Sequence, residues 1–373
     1  MTPLEQTLSL VRPEILALTP YSSARKEAKA DGGARPEPVR KIWLDANENP
    51  ETPSAHRPLF NRYPDPQPPD LIARLASLYA VDPAQILVTR GSDEGIDLLL
   101  RTFCRAGQDA ILITPPTYGM YVVAAGIQNA RVVTVPLIRE QNFALNTEAL
   151  VAAGLAAPKP ADAGEGRVKL VFLCSPNNPT GGLLDRTAVL RVTRALAGLA
   201  VVVVDEAYVD FSEVPSLAGE VASLPNLVVL RTLSKAFGLA GARVGTTIAD
   251  PAVIGVLQKV IAPYPVPAPV LQAALTALSP DGLAAARASV GAIVAERARL
   301  AAALVGLPAV KKVWPSDANY LLVEVADAAR LMAAGRAAGV IWRDRSKDVP
   351  STIRITVGTA DENNTTLEVL SRA

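Results

Sequence analysis

Between about Asp82 and Ala249, short apolar runs alternate with longer amphipathic stretches. Parallel strands covered by helices on both faces write this pattern into a chain. The candidate strands are Ile86–Thr89, Ala110–Thr114, Arg131–Val135, Leu170–Cys174, Val201–Val204 and Leu227–Arg231. They are rich in β-branched residues and nearly unbroken in apolar character, which predicts strands buried on both faces. Pro263, Pro265, Pro267 and Pro269 break any regular element, and an Ala-rich helical pattern follows from about Gly282 to Val305. Beyond it, Asn319–Val325 and Ile353–Val357 read as strands around a helix near Ala326–Ala338. The expectation is an α/β large domain over residues 47–262 and a smaller α+β domain over 263–373, with the proline cluster as boundary. Residues 1–46 form an N-terminal arm, expected to touch the small domain or a second copy. Within that arm Ala24–Arg40 mixes Lys, Gly, Pro and Glu with few large apolar residues and reads as an exposed flexible loop.

Composition narrows the functional classes. A chain of 373 residues exceeds one ordinary core, which agrees with two domains. Formal net charge is +1, with 37 basic against 36 acidic residues, so no long-range field favours a polyanion or an anionic membrane. Neither nucleic acid nor membrane is an expected partner. The apolar run Ala195–Val204 is far short of the ~20 residues that cross a bilayer. The start Met1-Thr2-Pro3-Leu4-Glu5 lacks a basic n-region, and a soluble cytoplasmic protein is expected. Cys104 and Cys174 lie in apolar segments and suit buried free thiols. His56 is the only histidine and sits among Pro53, Arg57 and Pro58, as a solvated loop position does. A His- and Cys-rich zinc site or a Ser-His-Asp hydrolase would have to be built around it, and no metal is expected.

Candidate chemistry gathers after three strands. Val201–Val204 ends in Asp205, Glu206, Ala207 and Tyr208, and ligands of open α/β sheets collect outside the carboxyl ends of strands. A nucleotide enzyme holding a metal on Asp205 is the bland alternative, but the phosphate-binding glycine loop it needs is absent upstream. Leu227–Arg231 runs into Thr232, Leu233, Ser234 and Lys235, then into Gly238, Ala240 and Gly241 before Arg243. Lysine is normally a solvated charge. Here small residues let the backbone approach a bound group, and Arg243 adds a cation suited to bidentate phosphate contact. The third segment, Leu170–Cys174 followed by Ser175-Pro176-Asn177-Asn178-Pro179-Thr180-Gly181, is a polar turn that turn chemistry alone explains, or one that offers side-chain amides to a ligand.

Three stretches, SPNNPTG (175–181), VVVVDEAY (201–208) and TLSKAFGLAGARVG (232–245), resemble in order and spacing the aminotransferases of pyridoxal-phosphate (PLP) fold type I, and the resemblance covers nearly the whole chain. It implies a mainly parallel seven-stranded sheet and PLP as cofactor. Lys235 is then the residue that carries the cofactor covalently and moves a proton during transfer. Asp205 pairs with the pyridinium nitrogen and keeps the ring electron-accepting. Asn178 and Tyr208 hydrogen-bond the phenolic oxygen. Gly91, Ser92 and Asp93 open a helix whose N-terminus, with Thr232, Ser234 and Arg243, resembles the family's phosphate cup. Tyr118 stacks on the ring, although an aromatic after a strand is also what a core requires.

Further stretches resemble the histidinol-phosphate aminotransferase branch: Leu18-Thr19-Pro20-Tyr21, Leu44-Asp45-Ala46-Asn47-Glu48-Asn49-Pro50, Arg62-Tyr63-Pro64-Asp65-Pro66 and Ile353-Arg354-Ile355-Thr356-Val357-Gly358-Thr359. That branch implies a homodimer with shared active sites, in which Tyr63 reaches the partner's cofactor phosphate. Arg354 binds the carboxylate or phosphate of the substrate, helped by Arg343 and Tyr21, with Asn47 nearby; a solvated charged loop is the other reading of Arg343. The implied reaction moves an amino group between L-histidinol phosphate and 2-oxoglutarate by a ping-pong route. Aromatic aminotransferases and threonine-phosphate decarboxylases share the cofactor motifs, and regulators carrying an aminotransferase-like domain are the non-enzymatic alternative. The segment Ala24–Arg40 is longer and more polar than the link expected before Asp45.

Overall fold

The structure, a computed structural model, describes residues 1–19, 46–51, 60–156 and 166–372. The expected loop Ala24–Arg40, Tyr21 and His56 lie outside them. Seven strands build the main sheet: β1 (Ile86–Thr89), β2 (Ala110–Ile113), β3 (Arg131–Thr134), β4 (Val168–Cys174), β5 (Val201–Asp205), β6 (Leu227–Thr232) and β7 (Gly245–Ile248). Their order is β1-β7-β6-β5-β4-β2-β3, with every neighbouring pair parallel except those of β7. The fold is thus the mainly parallel α/β sheet expected from the sequence.

The alternation along β5 shows why this segment is a central strand. Val202 and Val204 join the apolar layer on one face, and Val201 and Val203 join the layer on the other. All four are fully buried. Burying each valine stabilises the sheet by about 1.5–3 kcal/mol. β3 departs from the expectation of burial on both faces: Arg131, Val132 and Thr134 are exposed, because β3 is the edge strand and pairs only with β2. β7 is not legible in the sequence. Its Gly-Thr-Thr-Ile segment has one large apolar residue, and it is a strand because two neighbours supply its ladder.

The small domain has four antiparallel strands in the order β10-β11-β9-β8: β8 (Val310–Val313), β9 (Tyr320–Val325), β10 (Arg343–Asp344) and β11 (Thr352–Thr356). Helices Pro280–Val305, Ala328–Ala337 and Ala360–Arg372 complete it. Leu300, Leu304, Leu331, Trp342 and Leu370 close its own core over β9 and β11. The segment after the proline cluster behaves differently. Val266, Ala274 and Leu278 belong to the large domain's apolar layer, and the helix Ala268–Ala277 packs on the helix Pro69–Tyr79. The described part of the N-terminal arm also joins the large domain, with Leu10 and Val11 buried in the layer beneath the sheet, so the expected contact with the small domain is not seen there.

The two domains are tied at several points. Arg139 pairs with Glu324 at 2.9 Å, and Arg297 donates to the carbonyls of Phe211 and Ala318. Tyr320, from β9, donates its hydroxyl to the carbonyl of Asn177 at 2.8 Å. Cys104 and Cys174 are buried free thiols. Among the described residues no helix is long and apolar enough to cross a membrane, and no His/Cys/Asp/Glu cluster could hold a metal.

Candidate active site

The sheet brings the three sequence motifs to one edge. Register sets Cys174 and Leu230 beside Asp205, and sets Thr89 and Thr232 beside Gly245. The segments leaving these strand ends therefore open onto one hollow of about 490 Å³, lined from the large domain by Ser92, Asp93, Tyr118, Asn178, Asp205, Tyr208, Thr232, Ser234, Lys235 and Arg243. Arg343, Arg345 and Arg354 line it from the small domain.

Asp205 is 2 % exposed. Its Oδ2 accepts from the Tyr121 hydroxyl at 2.9 Å and its Oδ1 from the Ala207 amide at 3.1 Å. No cationic side chain hydrogen-bonds it among the described residues. Burial pushes its carboxyl up to about 6 against the pull of those two donors. A carboxylate placed so is costly unless a cation arrives from the cavity.

Lys235 has its ammonium 5.7 Å from the Tyr208 ring centre. Partial burial, then the like charge of Arg354, lower its proton affinity, with Asp93 opposing. Asn178 joins two groups: it accepts from Arg354 at 2.6 Å and donates to the Tyr208 hydroxyl at 3.3 Å. Burial holds the Tyr208 phenol well above its ordinary range, so it stays protonated.

The far end of the hollow gathers donors. Gly91, at φ +76°, caps the helix Ser92–Phe103, and a Cβ on it would lie 2.6 Å from Arg243 Nη2. Glycine there allows the guanidinium to lie against the helix N-terminus. Arg243 pairs with Asp93 at 3.1 Å and reaches the Ser234 hydroxyl at 3.5 Å, while Tyr118 donates to Asp93 at 3.0 Å. The Thr232 and Ser234 hydroxyls are 2.9 Å apart. At the mouth, Arg343 and Arg354 are direct cross-strand partners on β10 and β11. Like charges opposite one another destabilise a sheet unless an anion separates them. Arg354 also rests 5.1 Å from the Tyr320 ring, and its buried Nε has no hydrogen-bond partner.

The model of the family described as aminotransferase class I and II matches residues 30–370. The chain belongs to that family. It is similar to the histidinol-phosphate aminotransferase of Stenotrophomonas maltophilia, 45 % identical over 99 % of this chain and 97 % of that protein. Among solved structures it resembles the histidinol-phosphate aminotransferase of Clostridium acetobutylicum, with TM-score 0.74, 21 % identity, and 84 % of this chain and 90 % of that one covered. It also resembles that of Sinorhizobium meliloti in complex with pyridoxal-5'-phosphate, with TM-score 0.72, 24 % identity, and 84 % and 83 % covered. The latter two likenesses show the fold.

PLP is the cofactor of this aminotransferase family, and the hollow fits it. Asp205, a buried acid with no cationic hydrogen-bond partner among the described residues, would take the charge of a protonated ring nitrogen. A cluster of hydroxyls, guanidinium and helix N-terminus offers donors to a phosphate dianion. Lys235 lines the same hollow. Five cationic side chains line the hollow against two carboxylates, so the surplus is positive, as an anionic cofactor and an anionic substrate require.

Not every expected residue meets there. Asn47 and Tyr63 line a separate hollow with Glu48, Arg62 and Tyr264, where the half-exposed Tyr63 ring stacks on Tyr264 at 4.5 Å. Within one chain they do not face Lys235. Two residues of the site escape a reading of the sequence. Arg345 lines the cavity just past the end of β10, where its amide still bonds the Thr352 carbonyl at 2.9 Å, and the sequence Arg343-Asp344-Arg345 alone does not show that the turn brings its side chain there. Tyr121 lies three residues past Tyr118 at the start of the helix Met120–Gln128, and nothing in its apolar neighbourhood marks its hydroxyl as bonded to Asp205.

Proposed function

We propose that this chain is a histidinol-phosphate aminotransferase, moving the amino group of L-histidinol phosphate to 2-oxoglutarate. The observation that carries the substrate class is the register pair Arg343 and Arg354 at the cavity mouth, with Arg345 beside them. Histidinol phosphate carries a phosphomonoester where glutamate carries a carboxylate, and one guanidinium cluster serves both anions. The near full-length likeness to an enzyme named for that activity supports the imidazole end.

PLP, when bound, accepts the substrate's amino group and stabilises the electron pair left when a proton leaves the adjacent carbon. The chain's residues do the rest. Lys235 would carry the cofactor between turnovers and, with its proton affinity lowered by burial and Arg354, would act as the base that takes that proton. Asp205 keeps the ring nitrogen protonated. Asn178 and Tyr208 hold the phenolic oxygen, and Asn178 also fixes Arg354 against the incoming anion. Gly91, Ser92, Asp93, Thr232, Ser234 and Arg243 would hold the cofactor's phosphate, and Tyr118 would cover its ring. The net reaction would exchange the amino group of L-histidinol phosphate for the oxo group of 2-oxoglutarate, giving imidazole-acetol phosphate and glutamate, with both substrates using the same arginine cluster in turn.

The working form in this reading is a cytoplasmic homodimer, in which Tyr63 and Asn47, facing away from their own Lys235, complete the partner's site. The test mixes the PLP-loaded enzyme with histidinol phosphate, phenylalanine or threonine phosphate, without oxo acid, and follows conversion of the cofactor's absorption to its amino form. Fast conversion with histidinol phosphate, far ahead of phenylalanine, is expected. Release of carbon dioxide from threonine phosphate instead would overturn the assignment.

A further inference from the structure

We propose that Tyr121 is a positioning residue for this reaction: its phenol fixes the Asp205 carboxylate on the floor of the cavity and keeps it ionised for the cofactor. The inference rests on the PLP reading above and concerns this chain's own residues.

Two features of the geometry carry it, and the electrostatics of the phenol support them. The Tyr121 hydroxyl donates to Asp205 Oδ2 at 2.9 Å, while Oδ1 is held by the Ala207 amide, so both carboxylate oxygens are fixed and their remaining lone pairs are left for the cavity. The donor cannot swing away. Tyr121 is fully buried, its ring stacks on Phe172 at 4.8 Å and 16°, and Tyr118 closes its edge at 5.6 Å and 87°. The donor also cannot become an acceptor by ionising, because burial and the neighbouring Asp205 hold the phenol well above its ordinary range. A neutral, immobile O–H aimed at a buried carboxylate favours the charged form over the protonated one.

The other groups around Asp205 set the direction of the effect. Asp93 at the helix start and Glu206 next in the chain both push its carboxyl up. Cys174, at the end of β4, and the protonated phenols of Tyr208 and Tyr118 interact with it, and the cation of Lys235 is coupled to it across the cavity. With burial raising the carboxyl to about 6 and two acids adding to it, Tyr121 is the side chain that opposes them. Removing the hydroxyl raises Asp205 further. The cofactor's ring then meets a neutral acid at pH values where the wild type offers a carboxylate.

The test is Tyr121→Phe, which keeps the ring, read by PLP affinity of the cofactor-free protein from pH 6 to 8.5 and by the pH profile of kcat/KM. Affinity is expected to be about tenfold weaker at pH 6.5, the scale of one hydrogen bond to a charge. The deficit should shrink to less than about twofold at pH 8.5, where Asp205 ionises without help, and the acid limb of kcat/KM should move to higher pH. Tyr121→3-fluorotyrosine, a stronger donor in the same packing, is expected to move both curves the other way, and it decides the matter if thermal melting shows the phenylalanine variant unfolded. A ratio of affinities that is constant with pH in both variants would mean that Tyr121 only packs, and overturns the inference alone. Wild-type protein that binds no PLP at any pH would overturn the cofactor reading and this inference with it.

Discussion

Replacing Asp205 by Asn should stabilise the cofactor-free protein while disabling the loaded one. The carboxyl lies at about 6 in the folded chain against an ordinary 3.8, because burial in the floor of the sheet disfavours its charge. A shift of about 2 units is worth roughly 3 kcal/mol at 1.36 kcal/mol per unit. The sign is set by the direction. A folded-state value raised above the unfolded one adds stability that is complete below about pH 4 and is lost as pH rises toward 6 and beyond. Asparagine has no such loss, but its single carbonyl cannot accept from both the Tyr121 hydroxyl and the Ala207 amide, which costs about 1 kcal/mol.

The net expectation is near equality with wild type around pH 4.5 and an advantage of roughly 2 kcal/mol for Asp205→Asn at pH 7.5, both without cofactor. Thermal melts of the two proteins at the two pH values read this as a gap of a few °C that opens with pH. With PLP bound the order should reverse, because the ring nitrogen supplies the missing cation, and turnover should fall on the order of 10²-fold or more. A gap between the cofactor-free proteins that is equal at pH 4.5 and 7.5 would refute the claim that Asp205 is a buried charge awaiting its counter-ion.

Three other substitutions test separate parts of the structure. Arg354→Lys keeps the charge but loses the fork that holds Asn178 and the substrate anion, so kcat/KM for the phosphorylated amine should fall about 10- to 100-fold, mostly through KM, in steady-state assays. Gly245→Ala would put a Cβ 2.2 Å from the Gly91 carbonyl carbon and 2.4 Å from the Ser92 amide nitrogen. Backbone cannot give way as a side chain can, so a loss of about 2–3 kcal/mol in thermal stability is expected, together with weaker PLP retention in dialysis. Glu206→Gln leaves the buried Arg231 with Asp210 as its remaining carboxylate partner and should cost about 3 kcal/mol in denaturant melts while the cavity lining stays intact.

The sequence shows more of the site's chemistry than of its geometry. Strands β1, β2 and β4 to β6 are legible because runs such as Val201–Val204 are apolar at every position, which only a doubly covered strand tolerates. β7 is not, since Gly245, Thr246 and Thr247 are chosen by what they touch: Gly245 by the backbone of Gly91, and the threonines by burial between β1 and β6. Asp205 stands out at the end of β5, and Asn178 and Lys235 a few residues after β4 and β6, while Arg243 is marked by the small residues around it. Arg354 does not follow a strand end; it lies within β11, and its family resemblance singles it out. Tyr121 has no such marker, because in one dimension a tyrosine inside an amphipathic helix looks like any other core residue. The proline cluster is a true break in regular structure, yet Ala274 and Leu278 beyond it still pack with the large domain, because a break in local structure does not stop the following helix from burying its apolar side on the earlier sheet.

The spread of the machinery over distant segments of the chain has its cause in the sheet. A cofactor held at its ring nitrogen, phenolic oxygen, phosphate and lysine linkage needs four directions of approach, and one loop cannot supply them rigidly. Parallel strands that end together can. Asn178, Asp205 and Lys235 each come at or after the end of a different buried strand, and register holds those strand ends abreast. The arginines proposed to bind the substrate's anion come from the other domain, joined to this edge by the Arg354 to Asn178 and Tyr320 to Asn177 hydrogen bonds. Both bonds end on the same turn, so in the proposed reading the polar Asn177-Asn178 pair would do two things at once: address the cofactor's oxygen together with Tyr208 and set where the substrate's anion lies. A change that loosens that turn should therefore raise KM for the anionic substrate and weaken PLP binding together, whereas a change at Arg343 should alter the first and leave the second.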